Sequence, residues 1–308
     1  MFMVCGEALM DVFAQGETNT GTTLDARIGG SPFNVALGLA RLAQPVGFFG
    51  AVSTGFLGER LMRALAAEGV DTRAVARTPA PTTLSLVGLD AQGVPSYAFY
   101  GAGGAERQLS APDLQRIGAN VRALHVGSYA TVVEPIASTL RALVERERGR
   151  SLVAYDPNIR LNVEPTLARW LEQLEWMLPR CHLLKISDED LALLYPGQAS
   201  AAFAALALAR GALAVIVTRG AHGAQAWTAK AEATVSGVPV SVVDTVGAGD
   251  TFQAAVLTWL AEHDALHPAG LAALTGDEWQ AALGFAARAA ALTCSRRGAD
   301  MPRRAELN

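Results

Sequence analysis

Short apolar runs alternate along this chain with stretches whose apolar positions recur at helical spacing. "FMVCGE" near the start, then "VGFFGAV", "ALHVGS", "SLVAYD", "CHLLKIS", "LAVIVTRG" and "VSVVDTV", are apolar runs that end in or run into small or polar residues. Residues near 32–43 and 57–67 follow a helical period, and Ala-rich helical stretches dominate from about residue 200. Apolar runs separated by helices indicate parallel strands with crossover helices. Two segments break the rhythm. Residues 12–28 and 82–100 ("TTLSLVGLDAQGVPSYAFY") pattern as short antiparallel strands with turns. Beside an α/β core they predict a small accessory sheet, either a lid over a site or an edge hairpin with no part in closure. There is no internal repeat and no low-complexity linker.

Composition adds limits. The chain has 308 residues, 51% hydrophobic and 18% charged, which predicts a compact globular protein. A net charge of −4 argues against general nucleic-acid binding, and an anionic substrate needs a local positive site. Cys5, Cys181 and Cys294 are far apart, which fits a reducing compartment and excludes a cysteine zinc site. The apolar start carries Glu7 and Asp11 and lacks a basic leader, so it reads as a first strand and not a signal peptide. The apolar stretch 200–217 is interrupted by Arg210 and Gly211, so a helix and then a strand are expected there, not a membrane span. The expected location is the cytoplasm.

The chemistry concentrates in "DTVGAGDTF", residues 244–252. "VSVVD" predicts a strand entering it, and Phe252, Ala255, Val256 and Trp259 predict a helix leaving it. Gly247, Ala248 and Gly249 let the backbone approach a ligand, and the first amides of the helix form an anion site. A tight turn with Asp250 satisfying the helix dipole accounts for the same letters. If the turn holds phosphate, Asp250 can accept a proton from an attacking alcohol. The helix terminus would keep it ionised, and so a weak base; phosphoryl transfer tolerates a late proton transfer.

"DTVGAGDTF" resembles the second signature of the ribokinase/PfkB carbohydrate kinase family, and "GGSPFNVALGLARLA", residues 29–43, resembles the first. Their order and separation match that family over nearly the whole chain. There is no GxxxxGK[ST] P-loop, and "GAGGAE" does not complete GxGxxG. The resemblance implies a three-layer ribokinase-like α/β fold with a mostly parallel central sheet. It implies one kinase domain over residues 1–308, with lid segments inserted at approximately 12–28 and 82–104.

The resemblance also distributes roles. Asp11, Gly29, Gly30 and Asn34 would contact the sugar, while Ser31 and Pro32 read as a helix cap and a first-turn proline. In "YDPNIR", Asn158 and Arg160 would lie near the transferred phosphate and the substrate; a simple turn at Pro157–Asn158 is the alternative. "KISDEDL" corresponds to the family's NxxE motif, with Ser187 and Asp190 in place of Asn and Glu. Asp190 would place Mg²⁺ through water, and Lys185 would face the nucleotide phosphates. A helix capped by Ser187 explains that stretch equally well. Thr218, Gly220 and Gly223 in "VTRGAHG" would border ATP, or else form a plain turn. The amides of Ala248, Gly249 and Asp250, in the turn opened by Gly247, would take up charge on the transferred group together with Arg160, and Asp250 would be the base. Asp244 would lie near a K⁺ site. "FAARAAALT" lacks the Asn common before the closing segment, which implies an apolar and backbone-based adenine pocket. The implied activity is ATP-dependent phosphorylation of a sugar hydroxyl, fructose first, with Mg²⁺ and with a homodimer through the lid. 2-Keto-3-deoxygluconate, another sugar and a nucleoside are alternative acceptors, and a non-catalytic sugar- or nucleotide-binding regulator is the alternative outside catalysis.

Overall fold

The computed structural model describes residues 1–89 and 95–307. The expected lid segment 82–104 therefore falls partly, at 90–94, outside the described residues.

The apolar runs assemble into one eight-stranded sheet. From one edge its strands are Glu232–Val235, Ala224–Thr228, Ala214–Thr218, Leu183–Ser187, Leu152–Asp156, Ala123–Gly127, Phe2–Cys5 and Val46–Phe49. The strands from Ala214–Thr218 to Val46–Phe49 run parallel, and the two at the other edge are antiparallel. Every residue of Phe2–Cys5, Ala123–Gly127 and Leu152–Asp156 is buried. That is why these strands read as continuous apolar runs instead of alternating ones. Alternate side chains feed opposite faces: Phe2 and Val4 pack with the helices Ser31–Arg41, Ala248–Glu262 and Gly276–Cys294, while Met3 and Cys5 pack with Ile136–Glu147, Leu167–Met177 and Ser200–Ala209. Two helical layers thus enclose one sheet. No helix among the described residues is long and apolar enough to cross a membrane.

The accessory sheet has four strands, in the order Thr22–Gly29, Leu9–Glu17, Leu84–Leu89, Pro95–Tyr100. The outer pairs are antiparallel as expected, but Leu9–Glu17 and Leu84–Leu89 run parallel. The two hairpins leave the core separately and meet side by side, a long-range pairing that local alternation does not encode. Leu9–Glu17 begins four residues after the core strand Phe2–Cys5 ends, so Gly6, Glu7 and Ala8 form one stalk of this sheet.

Two other expectations are corrected. "VGFFGAV" is two strands: Val46–Phe49 stays in the main sheet, and Ala51–Ser53 turns off to pair with Ala76–Thr78. The break is at Gly50, where a Cβ would lie 2.6 Å from the Gly6 carbonyl oxygen. "VSVVD" is not a strand. It crosses the surface without a ladder, with Val242 and Val243 more than 60% exposed and the amides of Val243 and Asp244 donating to the Cys294 carbonyl. β-Branched residues favour a strand only where a neighbour offers an edge.

Candidate active site

Polar residues gather where the parallel strands end, among them Asn158, Arg160, Lys185 and Ser187 expected from the sequence and Glu7 and Ser128 that were not. Glu7 follows Phe2–Cys5, Ser128 follows Ala123–Gly127, Asn158 and Arg160 follow Leu152–Asp156, and Lys185 and Ser187 close Leu183–Ser187. Carboxyl ends of parallel strands are where open α/β sheets hold ligands.

The two sequence signatures meet through helix packing. Ser31, Asn34 and Gly38 lie on one face of the helix Ser31–Arg41. A Cβ at Gly38 would come within 2.8 Å of the Ala254 Cβ, so glycine lets this helix press against Ala248–Glu262. One turn back on each helix, Asn34 faces Asp250. The Asn34 side-chain amide donates to Asp250 Oδ2 at 2.9 Å, and the Ser31 hydroxyl donates to Oδ1 at 2.7 Å. Ser31 therefore does not cap its helix, as the sequence suggested; Gly30 stands at the cap with φ 103°. Asn34 spends its donor on the carboxylate.

Asp250 is buried, and burial raises its carboxyl above the ordinary range. The bonds from Ser31 and Asn34 and the charges of Lys185 and Arg160 oppose that rise. The weak base expected from the helix terminus is thus corrected: burial makes Asp250 a better proton acceptor than a surface aspartate. Gly247 caps the helix in the left-handed region at φ 78°, and a Cβ there would lie 2.6 Å from the Ala299 Cβ. The Ala248 amide donates to the Thr245 carbonyl at 3.2 Å, so the turn itself uses one of the three expected anion donors. Gly249 and Asp250 supply the next amides of the first turn, which have no intrahelical acceptor. Residues 247–249 are not buried, and the buried Asp250 carboxylate bonds to a hydroxyl and an amide rather than to a cation.

Around this turn, Lys185 is buried and its Nζ donates to Asp156 Oδ2 at 2.6 Å. That ammonium also lies 3.4 Å from where a Gly249 Cβ would be, so it faces the glycine turn. Asp156 Oδ1 is buried without a partner among the described residues. Asp190 Oδ1 accepts from the Ile159 amide at 3.2 Å, and burial, then the Asp156 charge, push its carboxyl to about 6 against Arg160 and Lys185. Ser187 accepts from the Asp190 amide at 3.0 Å, so its oxygen is a helix cap, the second of the two readings of "KISDEDL". Asn158 takes φ 41° in the turn that presents Arg160. The Arg160 guanidinium is exposed, yet its charge acts on Glu7, Asp11, Asp190 and Asp250 alike.

Asp11 sits on the accessory sheet opposite Arg27 and Ser85 in register. Burial lifts its carboxyl to about 6; Ser85 and Arg160 pull it down and Asp250 pushes it up. Gly29 is glycine because a Cβ would collide with the Asp11 carboxylate, and a Gly30 Cβ would sit 2.8 Å from the Glu7 carbonyl oxygen. Thr218 lies beside Ser187 in the sheet register and leads into Gly220 (φ 50°) and Gly223 (φ 89°), where a Cβ would collide with the Val235 carbonyl oxygen. Asp244 uses both oxygens structurally, accepting from the amides of Val246 at 3.0 Å and Gly298 at 2.8 Å. No group of three or more His, Cys, Asp or Glu side chains suited to a metal occurs among the described residues.

Residues 1–305 match the family described as pfkB family carbohydrate kinase. The chain belongs to that family. It is 37% identical over 260 residues to the fructokinase of Rhizobium leguminosarum bv. trifolii, covering 84% of this chain and 79% of that one. It is 34% identical over 299 residues to the Klebsiella pneumoniae fructokinase, covering 96% and 94%. Among solved structures, the ATP-bound fructokinase from Xylella fastidiosa superposes with a TM-score of 0.87 at 28% identity, over 99% of this chain and 96% of that one. The Vibrio cholerae O395 fructokinase in its fructose-, ADP- and calcium-bound form gives 0.83 at 27% identity, over 99% and 97%. This pfkB kinase thus has the ribokinase-like fold that its two signatures implied.

Several groups in the site carry no motif. Glu7 is 1% exposed, and in the sequence it shows only as an acid in an apolar run. Glu106, fully buried, accepts from the Thr83 hydroxyl at 2.7 Å. Asp156 closes a strand inside "YDPNIR", and its pairing with Lys185 comes from the neighbouring strand.

Proposed function

We propose that this protein is an ATP-dependent sugar kinase whose acceptor is fructose. The observation that carries the reading is the Asp250 carboxylate, buried at a helix N-terminus and held by Ser31 and Asn34, beside a glycine turn faced by the Lys185 ammonium. A pure binding protein has no use for a buried, unneutralised proton acceptor at that place.

In this reading a sugar hydroxyl lies against Asp250 and attacks the γ-phosphorus of ATP. The oxygen–phosphorus bond to the sugar forms, the bond to ADP breaks, and the hydroxyl proton passes to Asp250. The amides of Gly249 and Asp250, with Lys185 and Arg160, take up charge on the transferred group. Asp11, with Gly29 clearing space for its carboxylate, orients the acceptor. Asp156 and Asp190 suit Mg²⁺: one has a free buried oxygen, and the other is pushed up by burial and then by the charge of the first. When bound there, Mg²⁺ would neutralise the phosphates. The accessory sheet serves as the lid, tied to the core where Phe99 packs edge-on against Tyr129 with ring centroids 5.4 Å apart.

The charge pattern favours a neutral acceptor. Asp11 lies on the acceptor side, coupled to Asp250, and the nearby Arg107 guanidinium already has a carboxyl, Glu106, at 3.8 Å. A sugar acid would meet the Asp11 carboxylate there. The test is ADP release with fructose, 2-keto-3-deoxygluconate, ribose, adenosine and no acceptor. Fructose should give the highest kcat/KM. A preference for the keto acid would overturn the neutral-acceptor reading, and acceptor-independent binding without ADP release would overturn catalysis.

A further inference from the structure

Two buried glutamates, Glu7 and Glu147, are built differently. Glu147 is fully buried and surrounded by donors: Arg146 at 2.9 Å, Arg150 at 2.6 and 2.8 Å, and Ser151 at 3.2 Å. Burial pushes its carboxyl up, but the bonds from Arg150 and Arg146 outweigh burial and hold it below the ordinary range. This is how the protein houses an ionised buried glutamate. Glu7 is equally buried, in the stalk between the core strand and the lid, and its Oε2 has no partner among the described residues. Among the described residues no cation bonds to it. The groups that face it are Ser128, Tyr129, Glu106 and the Arg160 guanidinium, with Arg107 and Asp11 next in line around Tyr129. Glu106 itself is met by the Thr83 hydroxyl, with Arg107 at 3.8 Å.

We propose that Glu7 is a positioning residue whose uncharged form is the active one, leaving the Arg160 guanidinium to the transferred phosphoryl group. This rests on the role given to Arg160 above. An ionised Glu7 would add a negative charge in a low-dielectric site where Asp11, Asp190 and Asp250 already draw on the same guanidinium. Each carboxyl that ionises takes a share of that field from the phosphate. Burial lifts the Glu7 carboxyl to about 7, helped by Glu106 and opposed by Ser128 and Arg160, so the uncharged form dominates on the acid side of neutrality.

Glu7→Gln tests the proposal, because a neutral amide then replaces a neutral acid of the same shape. The variant should match the parent in kcat for fructose at pH 6. At pH 8.5 it should exceed the parent by about tenfold, the value of an interaction that moves a pKa by one. Superimposable pH profiles would overturn the proposal, as would a Glu7→Gln chain that loses activity at every pH or fails to fold. A second readout needs no phosphoryl transfer. A carboxyl whose pKa is raised by folding costs stability as pH climbs from its unfolded value towards its folded one. The denaturation midpoint of the parent should therefore fall relative to Glu7→Gln between pH 4.5 and pH 7. If that shift appears in a chain without kinase activity, Glu7 is uncharged as stated and the functional reading is what fails. If activity is present and the shift is absent, the proposal fails and the functional reading stands.

Discussion

Replacing Asp250 with asparagine removes the proton acceptor and almost nothing else. The new side chain has the same shape and the same two neighbours. Its carbonyl can accept from Asn34 Nδ2, which donates at 2.9 Å, and its amide can donate to the Ser31 oxygen, now 2.7 Å from Asp250, once that hydroxyl turns. Both contacts survive, and the cost of burying a charge disappears, so stability should change by about 1 kcal/mol or less. Catalysis should respond far more. Loss of a positioned general base costs roughly 10²–10⁴-fold, or about 2.7–5.4 kcal/mol of barrier. The assay is ADP release at saturating fructose and ATP, with a thermal melt of both proteins as control. The parent should also lose kcat as pH falls through the raised pKa of Asp250, and the variant should show no such acid limb. A drop below about tenfold with an unchanged melt would refute the role of Asp250, because amides and cations alone would then account for the rate.

The neighbouring residues give further tests. Ser31→Ala removes one of the bonds that hold the Asp250 carboxyl down, so the acid limb of kcat should move to higher pH. Gly29→Ala drives a Cβ into the Asp11 carboxylate and should raise KM for fructose while leaving KM for ATP unchanged, read from steady-state kinetics. Asp11 reaches its ionised form only above about pH 6, so the same KM should climb as pH falls below 6 and lose that dependence in Asp11→Asn. Lys185→Met strands Asp156 as an unpaired buried carboxylate and should cost about 3–5 kcal/mol in denaturant melts, with a loss of kcat in whatever folds.

Much of this protein was legible in its linear order. Apolar runs became central strands of four or five residues because both faces of a parallel sheet are covered, and helical periods marked the layers that cover them. The two glycine-rich signatures named the family and pointed to Asp250, Asn34 and the turn at 247–249. These features are local: a strand, a cap or a left-handed turn is dictated by residues a few positions apart. Other features needed distant segments to meet. That Leu9–Glu17 pairs in parallel with Leu84–Leu89, and that "VSVVD" finds no sheet edge, follow from the packing of the whole chain. Ser31 turned from a cap into a donor because Gly38 lets two helices close on each other and brings Ser31 to Asp250, 219 residues away in sequence. Glu7 and Glu106 have no motif because a buried carboxyl's charge depends on what surrounds it. A chain of letters carries identities and spacings, but burial and electric field exist only once the layers have closed.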